Sequence, residues 1–278
     1  MNNIYMRFPG GRAKALTLSY DDGVQQDHRL ISILNRHGIK CTFNINSGLF
    51  PAEGTTFPPG QIHRRLTEQE AVALYTDSGH EVAVHSLTHP FLEQLPPPLV
   101  VNEIAGDRKN LERLFHTIIR GMAYPFGTYS DEVVTVLRSA GIVYSRTVES
   151  TEDFRVPSDW LRLPATCHHD SPRLGQLTDK FITETPGHGP WLFYLWGHSY
   201  EFEANDNWKV IEDFSKAIGG KEDIWYATNI QVYDYIQAFR ALHFSMDAGL
   251  VHNPSAVPVF FVGGLQSYAI QPGETLQL

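Results

Sequence analysis

Short, nearly uninterrupted apolar runs alternate along this chain with stretches whose apolar residues recur at helical spacing. Ala15–Tyr20 (ALTLSY) reads as a buried strand running into Asp21-Asp22-Gly23. Asp27–His37 reads as a helix with Leu30, Ile33 and Leu34 on one face, stopped by Gly38. The alternation continues with a strand at Cys41–Ile45, a long Gly/Pro/Thr-rich loop over 46–66, and a capping box at Thr67–Glu70 that opens a helix to about Ser78. Further strands are predicted at Glu81–His85, Thr117–Ala123, Ile142–Ser145, Trp191–Trp196 and Ile224–Tyr226. Helices are predicted from Pro96 to Phe115 and over Asp131–Ala140, Ser171–Thr185, Trp208–Ile218 and Ile230–Leu242, with a second long loop at 146–171. Seven strand-then-helix units in succession imply a parallel sheet covered on both faces, closed or nearly closed into a barrel; an open doubly wound sheet is the rival. Residues 243–278 change character. Pro254, Pro258, Gly263-Gly264 and Pro272-Gly273 separate short apolar runs, which reads as a β-hairpin extension appended to a catalytic unit over 1–242.

Composition narrows the classes. In 278 residues, 42% are hydrophobic, enough for a core, and no apolar run is long enough to span a bilayer. The net charge of −9, with 22 scattered Lys and Arg, argues against a phosphate-binding nucleic-acid partner and offers no membrane surface. The two cysteines, Cys41 and Cys167, cannot build a disulfide scaffold and read as reduced thiols. With no leader visible in the first residues, the expectation is a cytoplasmic protein; a homo-oligomer is left open. Histidine is over-represented, at 13 residues, which raises metal ligation and proton transfer as candidate chemistry.

The candidate residues share one location. Asp21 and Asp22 follow the first strand, His85 and His89 the third, Tyr124 and Pro125 the fourth, and His198 the sixth. All lie at the C-terminal ends of strands, where barrels of this kind assemble their sites. In His85-Ser86-Leu87-Thr88-His89 the histidines are four apart, so one helical turn would present both imidazoles to one metal, ending at Pro90. Two adjacent carboxylates at a strand tip can divide labour, one joining the histidines on a metal and the other acting as a general base. Neither cysteine has a CxxC partner, which excludes the common structural zinc pattern.

At these residues the chain resembles the polysaccharide deacetylases, the NodB-homology carbohydrate esterases of family four. Leu18–Gly23 stands for that family's T-F-D-D-G segment and His85–His89 for its H-S/T-x-x-H segment, in the family's order and spacing. The resemblance covers about residues 13–200. It implies a distorted (β/α)7 barrel and metal-dependent removal of acetyl groups from an N- or O-acetylated saccharide. By family pattern, Asp22, His85 and His89 would hold a divalent metal, most often Zn²⁺. Asp21 would be the base and His198 the acid, and the backbone N–H of Tyr124, or of a near neighbour beside Pro125, would polarise the oxyanion. Asp159-Trp160 stands loosely for a loop motif, which makes Trp160 a substrate contact, and Asp153 is a candidate to orient His198.

Two departures stand out. The family's arginine, which steadies the base, falls on Ala123, so Arg146, Arg155 or Arg162 would have to supply it. The late Leu-x-His segment is one residue longer here, as Leu195-Trp196-Gly197-His198. The alternatives are an amide hydrolase of the same fold acting on a small ureide or formamide, and a non-catalytic sugar-binding barrel. Phe126, Tyr129, Trp196, Tyr200 and Trp208 are candidates for a sugar-stacking wall.

Overall fold

A computed structural model describes residues 3–278. Strands are β1 (Ile4–Arg7), β2 (Lys14–Asp21), β3 (Cys41–Ile45), β4 (Glu81–Val84), β5 (Gly121–Ala123), β6 (Tyr144–Ser150), β7 (Leu163–Ala165), β8 (Cys167–His168), β9 (Trp191–Gly197) and β10 (Ile224–Tyr226). A C-terminal group follows as β11 (His243–Phe244), β12 (Leu250–His252), β13 (Val259–Gly263), β14 (Gln266–Ile270) and β15 (Thr275–Gln277). The helices are α1 (Asp27–Arg36), α2 (Glu68–Tyr75), α3 (Pro97–Phe115), α4 (Asp131–Ser139), α5 (Leu174–Thr183), α6 (Ser199–Ala204), α7 (Lys209–Ile218) and α8 (Asn229–Arg240).

The parallel strands form a ring. β2 pairs with β3, and pairing continues through β4 and β5 to β6; on its other side β2 pairs with β9. The ring closes through the segment 163–168. Its first half, β7, pairs with β6; its second half, β8, pairs with β9; and between them Thr166 N–H donates to the Tyr194 carbonyl at 2.8 Å. This is the distorted (β/α)7 barrel, with one departure from the expected strands. The seventh stave is 163–168, not Ile224–Tyr226, which instead runs beside the start of β2 at Lys14–Leu16. Pro164 interrupts that stave and withholds an N–H, so no apolar run marks it in the sequence.

The strand pattern has a direct physical reading. In β2, Leu16, Leu18 and Tyr20 point outward into a cluster with Leu30 and Leu34 of α1, Phe181 of α5 and Phe214 of α7. Thr17, Ser19 and Asp21 alternate with them and point inward. The barrel interior is therefore polar as well as apolar. At its N-terminal end the start of α8 acts as a plug. Glu81 accepts hydrogen bonds from Thr42, Tyr144 and the Ile230 N–H at 2.8, 2.7 and 3.0 Å, and Asn229 bonds Thr17 and Tyr194, each at 2.7 Å. The other end of the barrel is left for Asp21, His85 and Arg146.

The C-terminal segment is more than a hairpin. β13 pairs antiparallel with both β14 and the N-terminal β1, while β12 pairs with β11 and β15. Val251, Val259, Phe261 and Ile270 close a small core against Ala238 of α8 and Leu242. No helix among the described residues is long and apolar enough to cross a membrane.

Candidate active site

Asp22, His85 and His89 converge at the C-terminal end of the barrel, with one ligand atom from each within 4.8 Å of the others. His85 Nδ1 lies 2.8 Å from the Ala123 carbonyl. A carbonyl only accepts, so the proton sits on Nδ1, and Nε2 faces the cluster as a bare lone pair, buried and without a hydrogen-bond partner. Burial pushes the His85 pKa down and lowers that of His89 to about 4, which favours the neutral form that a metal ligand needs. Burial works against an ionised Asp22, but the hydrogen bond from His63 and the charge of Arg65 hold its pKa well below the usual carboxylate range. His63 Nε2 and Arg65 Nη2 each lie 3.1 Å from its carboxylate, and Arg65 also donates to the Asp22 carbonyl at 2.6 Å.

The histidine pair does not sit on a helical turn. Residues 86–90 form a loop in which Ser86 and His89 take positive φ, 63° and 58°. Pro90 disfavours the right-handed helical conformation at His89, and side chains capture the loop backbone. Asn46 donates to the His85 and Ser86 carbonyls, Glu103 accepts from the Thr88 N–H at 2.8 Å, and Asp107 accepts from the His85 N–H at 3.0 Å. The rings still meet edge-to-face, with centroids 4.8 Å apart. Asp22, at φ 85° after β2, and Phe126, at φ 57° after β5, are strained in the same way.

Asp21 is buried beside this cluster. Its Oδ1 accepts from Asn44 Nδ2 at 2.8 Å, and its Oδ2 forms an ion pair with Arg146, itself fully buried and stacked over the Trp196 ring at 4.3 Å. Burial opposes ionisation of Asp21, but the Arg146 charge, with His85 and His198, takes its pKa below the usual value. Of the three arginines considered in place of the missing one, Arg146 is the one that reaches Asp21; Arg155 pairs with Asp153, and Arg162 with Asp131 and Asp159. In the sheet Arg146 is the register partner of Ala123, so the cation stands one strand away from its family position. The sequence left the choice among the three open because the predicted strand stopped at Ser145, whereas β6 continues through Arg146.

His198 Nε2 lies 3.9 Å from Asp21 Oδ2. Asp153 does not orient it, being hydrogen-bonded within its own loop and to Arg155. The partner is Glu201, at 3.2 Å from His198 Nδ1 and three residues later on α6, where it also caps the His198 N–H. Burial depresses the His198 pKa, but the Glu201 hydrogen bond and the charges of Asp21 and Asp22 outweigh it and leave the pKa above its ordinary value. The H-x-x-E spacing was the available signal for Glu201. The extra residue, Gly197, has a steric role: a Cβ there would lie 2.0 Å from His169 Nδ1.

Two of the residues expected at the substrate, Tyr124 and Trp160, are engaged elsewhere. The Tyr124 N–H donates within the sheet to the Arg146 carbonyl at 3.0 Å and its hydroxyl to the Leu161 carbonyl at 2.8 Å, so neither is available to an oxyanion. Pro125, which opens the following turn, has no N–H to offer. Trp160 packs edge-on against Tyr233 of α8, centroids 5.4 Å apart, in the core at the plugged end of the barrel. Trp160→Ala is expected to lower stability by about 3–5 kcal/mol and leave KM for any substrate unchanged; urea denaturation and steady-state kinetics check this. Of the aromatic candidates, Phe126 alone is exposed at the site rim, stacked on Phe91 at 3.9 Å with its edge on His89 at 4.6 Å. Tyr200 is half-buried between His63 and His198. Trp196 lies under Arg146, Tyr129 stacks on Tyr124, and Trp208 packs on Phe202.

A sequence model of the polysaccharide deacetylase family matches residues 9–145, which include Asp21, Asp22, His85 and His89 and stop one residue before Arg146. A chitooligosaccharide deacetylase from Bradyrhizobium sp. (strain ANU 289) is 27% identical over 152 residues, covering 54% of this chain and 60% of that protein. The chain spans less than two thirds of the length of the curated relatives it matches. Among solved structures, a family 4 carbohydrate esterase from Streptomyces lividans in complex with acetate aligns over 78% of this chain and 93% of its own, with 17% identity and a TM-score of 0.50. A mutant of the peptidoglycan deacetylase PdaC from Bacillus subtilis aligns over 82% and 94%, with 16% identity and a TM-score of 0.51. Both share the fold.

Proposed function

The chain is polysaccharide-deacetylase-like, and from that premise we propose that it is a metal-dependent hydrolase that removes acetyl groups from an N- or O-acetylated saccharide. Residues 1–242 are the catalytic barrel in this reading, and 243–278 its C-terminal extension. The observation that carries it is the orphaned, buried Nε2 of His85, facing Asp22 and His89 beside an Asp21 that is ionised and pinned. Two neutral imidazoles and one carboxylate are a donor set that suits Zn²⁺ with coordination positions left open. A divalent ion held there supplies a water that ionises near neutral pH and a Lewis acid for the acetyl carbonyl.

The remaining chemistry belongs to side chains. Asp21 cannot rotate, because Asn44 and Arg146 hold its two oxygens, and it takes the proton of the attacking water. His198, held charged against Glu201, gives a proton to the departing amine or alkoxide. Asp21 and His198 are close enough, at 3.9 Å, to serve one reacting centre. The exposed Phe91–Phe126 pair is placed to stack a sugar ring at the rim. Arg146 beside Asp21 stands in for the missing motif arginine, which weakens the alternative of a small ureide or formamide substrate. Two buried free cysteines, Cys41 and Cys167, suit a reducing cytoplasmic location.

The test is acetate release from a panel of N- and O-acetylated mono- and oligosaccharides, with and without added Zn²⁺. Zn²⁺-stimulated release supports the reading, and no release from any member overturns it. His85→Ala is expected to lose bound metal by elemental analysis; an unchanged zinc content would remove His85 from the ligand set.

A further inference from the structure

A second group of side chains of the types that can hold a metal lies around the Nδ1 edge of His198. Glu201 faces three imidazoles: His198 Nδ1 is 3.2 Å from Oε1, and His168 Nε2 and His169 Nε2 are each 3.2 Å from Oε2. One ligand atom each from His168, His198 and Glu201 lies within 4.8 Å of the others. His168 Nδ1 is held by Asp170 Oδ1 at 2.5 Å. With Nδ1 turned to Asp170, the His168 Nε2 faces Glu201, a carboxylate that can only accept, so the position between them suits a proton or a metal ion. A carboxylate behind a histidine, with the opposite ring nitrogen free, is the arrangement that supports a metal-ligating imidazole. His169 adds an independent observation. It is 1% exposed, neither ring nitrogen has a hydrogen-bond partner, and its Nε2 is aimed at the same Glu201 oxygen.

We propose that His168, His198 and Glu201 form a second divalent-cation site, which shuts off proton delivery when filled. Imidazole and carboxylate donors suit Zn²⁺. The two ligand sets share no residue. The consequence for turnover rests on the reading of His198 as proton donor. A cation on Nδ1 takes the place of the proton there, so His198 is no longer an imidazolium and its Nε2–H is a far weaker acid. Zinc thus activates at the first site and inhibits at the second.

The experiment is a calorimetric titration of the metal-stripped full chain with Zn²⁺, run alongside acetate release. Two binding classes of one equivalent each are expected. Asp22→Asn should lose the tighter class and keep the weaker. His168→Gln should lose the weaker and keep the tighter, with circular dichroism checking its fold. Asp170→Asn leaves the ligands in place and should weaken the second class by roughly 10–100-fold. Acetate release should rise to the first equivalent and fall with the second, and the ratio of the rate at excess zinc to that at one equivalent should return toward one in His168→Gln. A single class in the wild type, or a weaker class untouched by both His168→Gln and Asp170→Asn, overturns the proposal. If no saccharide is deacetylated, the isotherms still decide the second site, and the deacetylase reading alone falls.

Discussion

Arg146→Met is expected to cost about 3–5 kcal/mol of stability at neutral pH and, if Asp21 is the base, roughly 100-fold in kcat. The stability loss follows from burial. Arg146 and Asp21 are both enclosed, and removing the cation leaves the carboxylate buried with Asn44 as its remaining hydrogen-bond donor. The loss should depend on pH with a definite sign. In the wild type the folded Asp21 pKa is depressed, so this group contributes stability above its unfolded pKa, and that contribution is lost as pH falls through the folded value. In Arg146→Met burial is left largely unopposed, and the folded pKa moves above the unfolded one. The variant then loses stability as pH rises through that raised value, so its deficit should be larger at pH 8 than at pH 5. Urea denaturation at the two pH values tests this; an equal deficit at both would mean that Asp21 is not ionised against Arg146. The acid limb of the rate profile should move to higher pH in the same variant. Because Ala123 and Arg146 are register partners on neighbouring strands, Ala123→Arg in the Arg146→Met background returns a cation to the same interior face and should recover part of both losses.

Asp21→Asn is expected to abolish turnover, by about 10²–10⁴-fold or more, while zinc stays bound. Asn keeps the shape and still faces Asn44, but it cannot take a proton, and its amide donors oppose Arg146. Metal analysis of the purified variant beside its acetate-release rate separates the two roles. Loss of zinc together with activity would make Asp21 a ligand. Retained activity would move the base elsewhere in the site. Stability should also fall, because Arg146 is then the uncompensated buried charge.

Local sequence determined a good deal of this protein. The alternation of Leu16, Leu18 and Tyr20 with Thr17, Ser19 and Asp21 is enough to write a strand with one face on helices and the other in a barrel. Asp21-Asp22-Gly23 and His85–His89 announce their chemistry through residue type and spacing, and the fold does bring Asp22, His85 and His89 together. All of these signals are short-range, so they survive in the chain order. What the tertiary structure decided are contacts between residues far apart in sequence. Arg146 reaches Asp21 from across the barrel, 125 positions later. Residues 163–168 close the ring although Pro164 breaks their pattern, because pairing with two strands at once makes up for a weak strand propensity. Trp160 is drawn to the plugged end by Tyr233. Tyr124 gives its N–H to a sheet bond with Arg146 that no motif encodes. Glu201 displaced Asp153 as the partner of His198 because one helical turn brings its carboxylate to the imidazole, whereas the Asp153 loop turns on itself. A motif records which groups are needed; which neighbour completes each buried charge is set by the closure of the barrel.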